Sequence, residues 1–150
     1  MGKKTGFTLI ELLIALAILA IVSAIAVPLY TTYSQRTYRN EAQGDLLNCA
    51  QGLERFASIN FTYRGSADTD ADGLGDADNG PIAAEICGTQ SQLRYAITVA
   101  ATAAGFVLTA DPQAGPMVTN GFITLDDGGN RAWDQDDNNA IGAGEDDWVY

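Results

Sequence analysis

Two acidic segments of this chain place oxygen-bearing side chains at the alternating positions that a bound calcium ion requires. The first has oxygens at loop positions 1, 3, 5 and 9, glycine at position 6 and a main-chain carbonyl at position 7: Asp68, Asp70, Asp72, Asp76, Gly73 and Leu74. Alternate side chains of a tightly curved loop converge, and calcium takes about six to eight oxygens. Because position 12 is Asn79, a last ligand would come from Asp78 or Glu85. The spacing predicts a calcium site, with a solvated acidic loop as the alternative.

The carboxyl-terminal segment repeats this pattern less completely. Oxygens occupy positions 1, 3, 5 and 12: Asp134, Asp136, Asn138 and Glu145. Asn139 replaces the glycine of position 6, and Asn is the residue that best accepts a left-handed backbone after Gly. The segment predicts a second calcium site that matches the pattern more weakly, with a soluble acidic tail as the alternative.

One further acid stands alone at the start of a long apolar stretch. Glu11 is followed by residues 12–30 without another charge. A charged side chain inside a membrane span costs about 2.5–3.5 kcal/mol on insertion scales, so it usually has a partner or a function. Glu11 therefore indicates an interaction with a cation. The alternative is a plain signal anchor in which the acid is tolerated at the membrane surface.

The composition argues against catalysis and against nucleic acid as a partner. The chain has no His, no nucleophile beside a base and no phosphate-binding glycine loop, so we expect no enzyme. Residues 31–65 have a net charge of +1, whereas residues 66–150 carry fifteen acids against Arg94 and Arg131, a net charge of −13. Such a surface repels nucleic acid and attracts divalent cations.

Two helical segments precede these acidic regions. Residues 7–27 are apolar on all sides and, at about 1.5 Å per residue, long enough to cross a bilayer. Pro28 is expected to kink or locally melt this helix. An amphipathic helix is predicted from Gln35 to about Asn60, with one apolar stripe formed by Ala42, Leu46, Cys49, Leu53 and Phe56. Gly44 and Gly52 lower its helix propensity.

Four strands are predicted after a long acidic loop at residues 62–92. Alternating side chains and turn residues indicate two hairpins within residues 93–134. Their strands are residues 95–99, 106–110, 122–125 and 131–134. An acidic tail, residues 135–150, completes the chain.

The amino-terminal sequence resembles the class III leader of type IV prepilins. The resemblance rests on a short basic leader, residues 1–6, followed by the run Gly6-Phe7-Thr8-Leu9-Ile10-Glu11. It implies cleavage between Gly6 and Phe7 by a membrane peptidase that also methylates the new amino terminus at Phe7. It also implies that Glu11 faces the α-amine of a neighbouring subunit's Phe7. The expected regions are the leader 1–6, a transmembrane and filament-core helix 7–34, and a globular head 35–150.

The resemblance implies an α+β pilin fold: a long amino-terminal helix, transmembrane in its first half, packed on a four-stranded antiparallel sheet. The layout is most like the disulfide-bearing minor pilins, which are structural subunits of a helical filament. The expected partners are other pilin subunits, the prepilin peptidase and an inner-membrane assembly platform. The protein would sit in the inner membrane with its head outside the cytoplasm, and then in a cell-surface pilus.

Two alternatives to a pilus subunit stay open. A type II secretion pseudopilin would share the leader and the fold, and calcium in the carboxyl-terminal loop also occurs in that class. A DNA-uptake competence pilin would need a basic stripe on the head, which the charge distribution disfavours.

The resemblance to prepilins implies export to an oxidising compartment, where a disulfide between Cys49 and Cys87 is the expected state. Closing a loop of about 38 residues would contribute roughly 3–4 kcal/mol on the chain-entropy model. The alternatives are a buried free pair or a zinc half-site, and the chain lacks further ligands for zinc.

Overall fold

A computed structural model describes residues 7–88, 94–113 and 115–148. The predicted leader, including Gly6, and the end of the predicted acidic loop at residues 89–92 lie outside these ranges. The chain divides into two compact units, of which the first ends at Arg36 and the second begins at Thr37.

Helix α1 spans Leu9–Asn60 and contains Pro28 in its interior. The residues on both sides of Pro28 remain helical, so the local melting considered above does not occur. Two hydroxyls in the following turn bond to carbonyls of the turn before: Thr31 Oγ1 donates to Val27 O and Thr32 Oγ1 to Pro28 O, each at 3.1 Å.

The predicted apolar stripe of the amphipathic segment is confirmed. Four of its members are fully buried in the core, and Phe56 is partly buried against it: the four are Ala42, Leu46, Cys49 and Leu53. They form one cluster with the inward-facing residues of the sheet. Residues spaced by three and four share a helix face, which is why this pattern could be identified from sequence.

Two glycines of α1 have opposite roles. A Cβ at Gly52 would collide with the backbone carbonyl of Ile86, whereas a Cβ at Gly44 would have no atom within 4 Å. Gly44 is also exposed. The close approach at Gly52 allows the segment carrying Ile86 to lie directly on α1.

This difference predicts opposite effects of one substitution. Gly44→Ala should stabilise the protein by about 0.5–1 kcal/mol because it reduces backbone freedom in the unfolded chain. Gly52→Ala should destabilise it by about 1–3 kcal/mol because the methyl group forces two backbones apart. Denaturant unfolding of the full chain in detergent measures both. Effects of equal sign would contradict the packing described here.

The sheet is a five-stranded antiparallel meander in the order β1-β2-β3-β4-β5. Its strands are β1 Asn79–Pro81, β2 Tyr95–Ala101, β3 Phe106–Pro112, β4 Ile123–Asp126 and β5 Arg131–Trp133. Alternate residues of β2 and β3 face the core, as the period-2 pattern predicts. The α+β architecture and the four predicted strands are confirmed.

The sheet has one strand more than predicted. Strand β1 and the short helix α2, Ala84–Cys87, both lie in the segment assigned above to a loop. The sequence Asn79-Gly80-Pro81 has no apolar alternation, and its pairing with residues 98–100 of β2 exists only because the chain returns to the sheet edge. Long-range pairing of three residues leaves no local signal.

Candidate functional site

The amino-terminal acid has a partner within its own chain. Thr8 precedes the first residue of α1, and Glu11 Oε2 accepts hydrogen bonds from the Thr8 amide at 2.9 Å and the Thr8 hydroxyl at 2.8 Å. The Glu11 amide donates to Thr8 Oγ1 at 3.3 Å. This reciprocal arrangement is a capping box, for which Thr-x-x-Glu before an apolar run is the sequence signal. Sequence analysis noted the acid but missed this role.

The apolar part of α1 exposes its side chains. Within the described residues, α1 is the one helix with an apolar window long enough to cross a membrane. None of that window is buried in the protein. An exposed apolar surface of this size requires lipid or other helices around it.

Cys49 and Cys87 form the predicted disulfide, with their Cα atoms 4.5 Å apart. Cys49 is fully buried in α1, and Cys87 ends α2. Both lie against the core, with Ile86 of α2 buried beside them. The bond therefore joins α2 covalently to the helix on which the sheet packs.

Three carboxylates of the first acidic loop converge. Asp68, Asp70 and Asp72 each offer an oxygen within 4.8 Å of the others. Asp68 accepts hydrogen bonds from the amides of Ala71 at 2.7 Å and Gly73 at 2.8 Å. These two acceptor bonds curve the chain around Asp68, and Ala71 and Gly73 take positive φ values of 62° and 91°. Glycine at position 6 is thus required by the turn.

Asp76 and Asp78 have other partners than the three clustered carboxylates. Asp76 accepts hydrogen bonds from the Thr69 amide and hydroxyl, and Asp78 pairs with Arg64 at 3.7 Å. Leu74 N donates to Asp72 Oδ1 at 2.8 Å. Position 9 therefore does not join the cluster of three carboxylates. Spacing alone does not determine the partners of Asp76 and Asp78, because those contacts depend on which groups the folded chain brings near.

Glu85 contacts the first loop from α2. Its Oε1 accepts a hydrogen bond from the Gly75 amide at 2.9 Å, and its own amide donates to Gly73 O at 3.0 Å. These two bonds attach the tip of the loop to α2. Glu85 was one of two candidates for a final ligand, and it is the one that contacts the loop backbone.

The carboxylates of the first loop repel one another. A hydrogen bond from the Asp72 amide lowers the pKa of Asp70, but repulsion from the carboxylates of Asp72, Asp76 and Asp68, with partial desolvation, raises it overall above its ordinary value. A neighbouring cation would favour the charged form. The loop is therefore electrostatically suited to a divalent ion.

The second acidic loop has the more enclosed cluster. Asp134, Asp136 and Glu145 offer oxygens within 4.8 Å of one another. Asp134 is 0% exposed and Glu145 is 9% exposed. Neighbouring carboxylates repel each other, and a bound cation would relieve that repulsion.

Backbone amides hold these two carboxylates in place. Asp134 accepts from the amides of Asn138 at 3.0 Å and Asn139 at 2.9 Å. Glu145 accepts from Gln135 at 2.8 Å and, through its other oxygen, from Gly142 at 2.6 Å. Asn139 has φ 63°, so the left-handed backbone anticipated at position 6 is confirmed. Asn138 donates its side-chain amide to Asp136 Oδ2 at 2.8 Å.

Two tryptophans attach the second loop to the sheet. The Trp133 amide donates to Glu145 O at 3.0 Å, and Trp148 Nε1 donates to Thr124 O at 3.1 Å. The Arg39 guanidinium of α1 lies 3.5 Å from the centre of the Trp133 ring. Sequence analysis did not identify Arg39, because a single Arg on a helix carries no signal that it will be buried.

Two family models match the chain. The model described as "Type IV minor pilin ComP, DNA uptake sequence receptor" matches residues 28–120, more than half of the chain. The model described as "Prokaryotic N-terminal methylation motif" matches residues 1–27. The first acidic loop lies inside the matched range, and the second lies beyond it.

Several fimbrial proteins are similar in sequence. The fimbrial protein of Moraxella nonliquefaciens is 40% identical over 78 residues, which cover 49% of this chain and 48% of the relative. The fimbrial protein EcpC of Eikenella corrodens is 39% identical over 79 residues, 51% of this chain and 49% of the relative. The type IV major fimbrial protein FimA of Dichelobacter nodosus is 34% identical over 118 residues, 77% and 65% of the two chains.

The chain spans about half the length of the first two relatives. No solved structure matches the chain.

Proposed function

The chain belongs to the type IV pilins, and from this premise we propose that it is a minor structural subunit that is drawn from the inner membrane into a helical pilus. The methylation motif and the apolar helix are those of a pilin anchored in the inner membrane and destined for the cell surface. The observation that carries the proposal is the exposed apolar half of α1 beginning beside Glu11. That surface needs neighbouring helices once it leaves lipid.

The partners follow from the same surface. We propose that a prepilin peptidase cleaves between Gly6 and Phe7 and methylates Phe7, and that an inner-membrane platform stacks the processed subunits. Stacking would place Glu11 against the α-amine of a neighbouring Phe7, so that each charge neutralises the other in an apolar layer. The capping box with Thr8 satisfies the same carboxylate before assembly. The absence of His from the sequence agrees with a structural rather than a catalytic protein.

We also propose that the head binds calcium at both acidic loops. Carboxylate and carbonyl oxygens are the donors that calcium prefers, and the two clusters present them. Asp68, Asp70 and Asp72 would hold an ion in the first loop, whereas Asp134, Asp136 and Glu145 would hold one in the second. A bound cation would neutralise the mutual repulsion in each cluster.

The second loop is the better organised of the two. Its buried carboxylates are already fixed by backbone amides, so little conformational freedom is lost on binding. The first loop is more exposed, and calcium must order it at a greater entropic cost. We therefore expect tighter binding at the second loop. Calorimetric titration of the full chain in detergent should find two sites of unequal affinity, and an absence of binding heat and of saturable uptake in dialysis would contradict the proposal.

DNA uptake is a second candidate function. The family model that matches residues 28–120 is described as a DNA uptake sequence receptor, and this observation favours it. The net charge of −13 over residues 66–150 opposes contact with phosphates unless bound calcium reverses the local field.

Deletion of the gene separates these functions. Loss or shortening of surface pili, restored by the wild-type gene, is expected for a pilus subunit. Normal pili with impaired DNA uptake would favour the second candidate. Normal pili with impaired protein export would favour a secretion pseudopilin and contradict the pilus proposal.

A further inference from the structure

The Cys49–Cys87 disulfide lies at one end of a continuous set of contacts that ends at the first acidic loop. The bond attaches α2 to α1, and Glu85 in the middle of α2 attaches to the loop through the Gly73 carbonyl and the Gly75 amide. Only Ile86 separates Cys87 of the covalent bond from Glu85 of the loop contact. The order of the loop tip therefore depends on whether α2 keeps its place.

The disulfide is the covalent attachment of α2, beside the burial of Ile86 and the hydrogen bond from the preceding Ala83 amide to Ser66 O at 3.0 Å. The helix has only four residues and no side-chain cap at its amino end, and a helix this short does not form without outside support. Ile86 is its one buried residue, and Gly52 allows the Ile86 carbonyl to lie against α1. The burial of Ile86 and the covalent bond therefore both hold α2 in place.

We propose that this disulfide is a redox-sensitive latch for the first acidic loop, whose reduction frees α2 and loosens the loop tip while leaving the second loop unchanged. A dithiol would carry out the reduction: its two sulfurs are oxidised to a disulfide, and two electrons and two protons convert the Cys49–Cys87 bond into two thiols. The consequence for calcium rests on the metal proposal above, whereas the loosening of the loop does not.

The second loop provides an internal control. Its amides at Asn138 and Asn139 bond to Asp134, and the second loop is attached to the sheet through Trp133 and Trp148 rather than through α2. If reduction acts only through α2, hydrogen exchange at those two amides must stay unchanged. General unfolding must affect both loops.

Amide hydrogen exchange of the full chain in detergent, with a chelator present, tests the latch without metal. Reduction by a dithiol should accelerate exchange at Gly75 and Glu85 by about tenfold or more, with less than about twofold change at Asn138 and Asn139. Unchanged exchange at Gly75 and Glu85, or equal acceleration in both loops, would overturn the latch.

A pair of variants tests the same contacts in the oxidised protein. Gly52→Ala should accelerate exchange at Gly75 and Glu85 because it displaces the Ile86 carbonyl, and Gly44→Ala should not. The same response to both variants would overturn the role of α2.

Calcium titration then tests the metal consequence. Tryptophan emission reports the second loop, since both tryptophans of the chain, Trp133 and Trp148, contact that region. Calorimetry reports both sites. Reduction should weaken the first site about fivefold or more and leave the second unchanged. Equal affinity in both redox states would overturn the coupling. If the oxidised first loop takes up no calcium, the metal proposal fails there, and the exchange experiment still decides the latch.

Discussion

Replacing Glu11 with Ala is expected to reduce incorporation of the subunit into pili by roughly a hundredfold. The reason is that a neighbouring Phe7 α-amine would remain charged in an apolar layer without its carboxylate. An unpaired charge there costs about 2.5–3.5 kcal/mol, and each 1.4 kcal/mol corresponds to a factor of ten. Leader cleavage and membrane insertion should stay normal. Immunoblotting of sheared pili against the processed membrane pool measures the ratio.

The capping box calls for a matched control. Glu11→Ala removes both the charge and the acceptor for Thr8, whereas Glu11→Gln keeps an acceptor at that position and removes only the charge. Charge pairing predicts that both variants fail. If Glu11→Gln is incorporated normally and Glu11→Ala is not, the acid serves the start of the helix and the pairing proposal is wrong.

Chelation of calcium is expected to cause the second large effect. At a free calcium concentration about a hundred times the dissociation constant, each occupied site should add roughly 2.7 kcal/mol to the free energy of unfolding. The effect follows from mass action because the unfolded chain cannot assemble the clusters. Denaturant unfolding of the full chain in detergent, with calcium and with chelator, measures it.

Paired substitutions assign this gain to one loop or the other. Asp70→Ala with Asp72→Ala should remove the contribution of the first loop. Asp136→Asn with Glu145→Gln should remove that of the second, while keeping acceptors for the loop amides. Asp111→Asn with Asp146→Asn changes net charge equally outside both clusters and should leave the calcium effect intact. Equal stability in calcium and chelator would contradict both sites.

Much of the fold followed from local patterns. The helical period of Ala42, Leu46, Cys49 and Leu53 predicted the buried face of α1, and all four are fully buried. The alternation of residues 95–110 predicted a hairpin, and β2 pairs with β3 over its whole length. The disulfide was expected from the cysteine count and the destination of the chain. Each of these signals acts over a few residues or over the whole composition.

Some features of the acidic loops followed from the sequence, and others depended on the tertiary structure. Spacing determined that Asp68, Asp70 and Asp72 converge, because alternate residues of one tight turn face the same point. It did not determine the partner of Asp76, which turns to Thr69, or that of Asp78, which pairs with Arg64. Those outcomes depend on which groups the fold brings near.

The burial of charged side chains was decided by the tertiary structure alone. Asp134 and Glu145 could belong to a solvated tail as far as the sequence shows, yet they are enclosed because two tryptophans draw the tail onto the sheet. Arg39 is buried against Trp133, ninety-four positions further along the chain, and β1 exists only by pairing with β2. A sequence specifies the local geometry of each segment, whereas burial and pairing between distant segments depend on close packing of the whole chain.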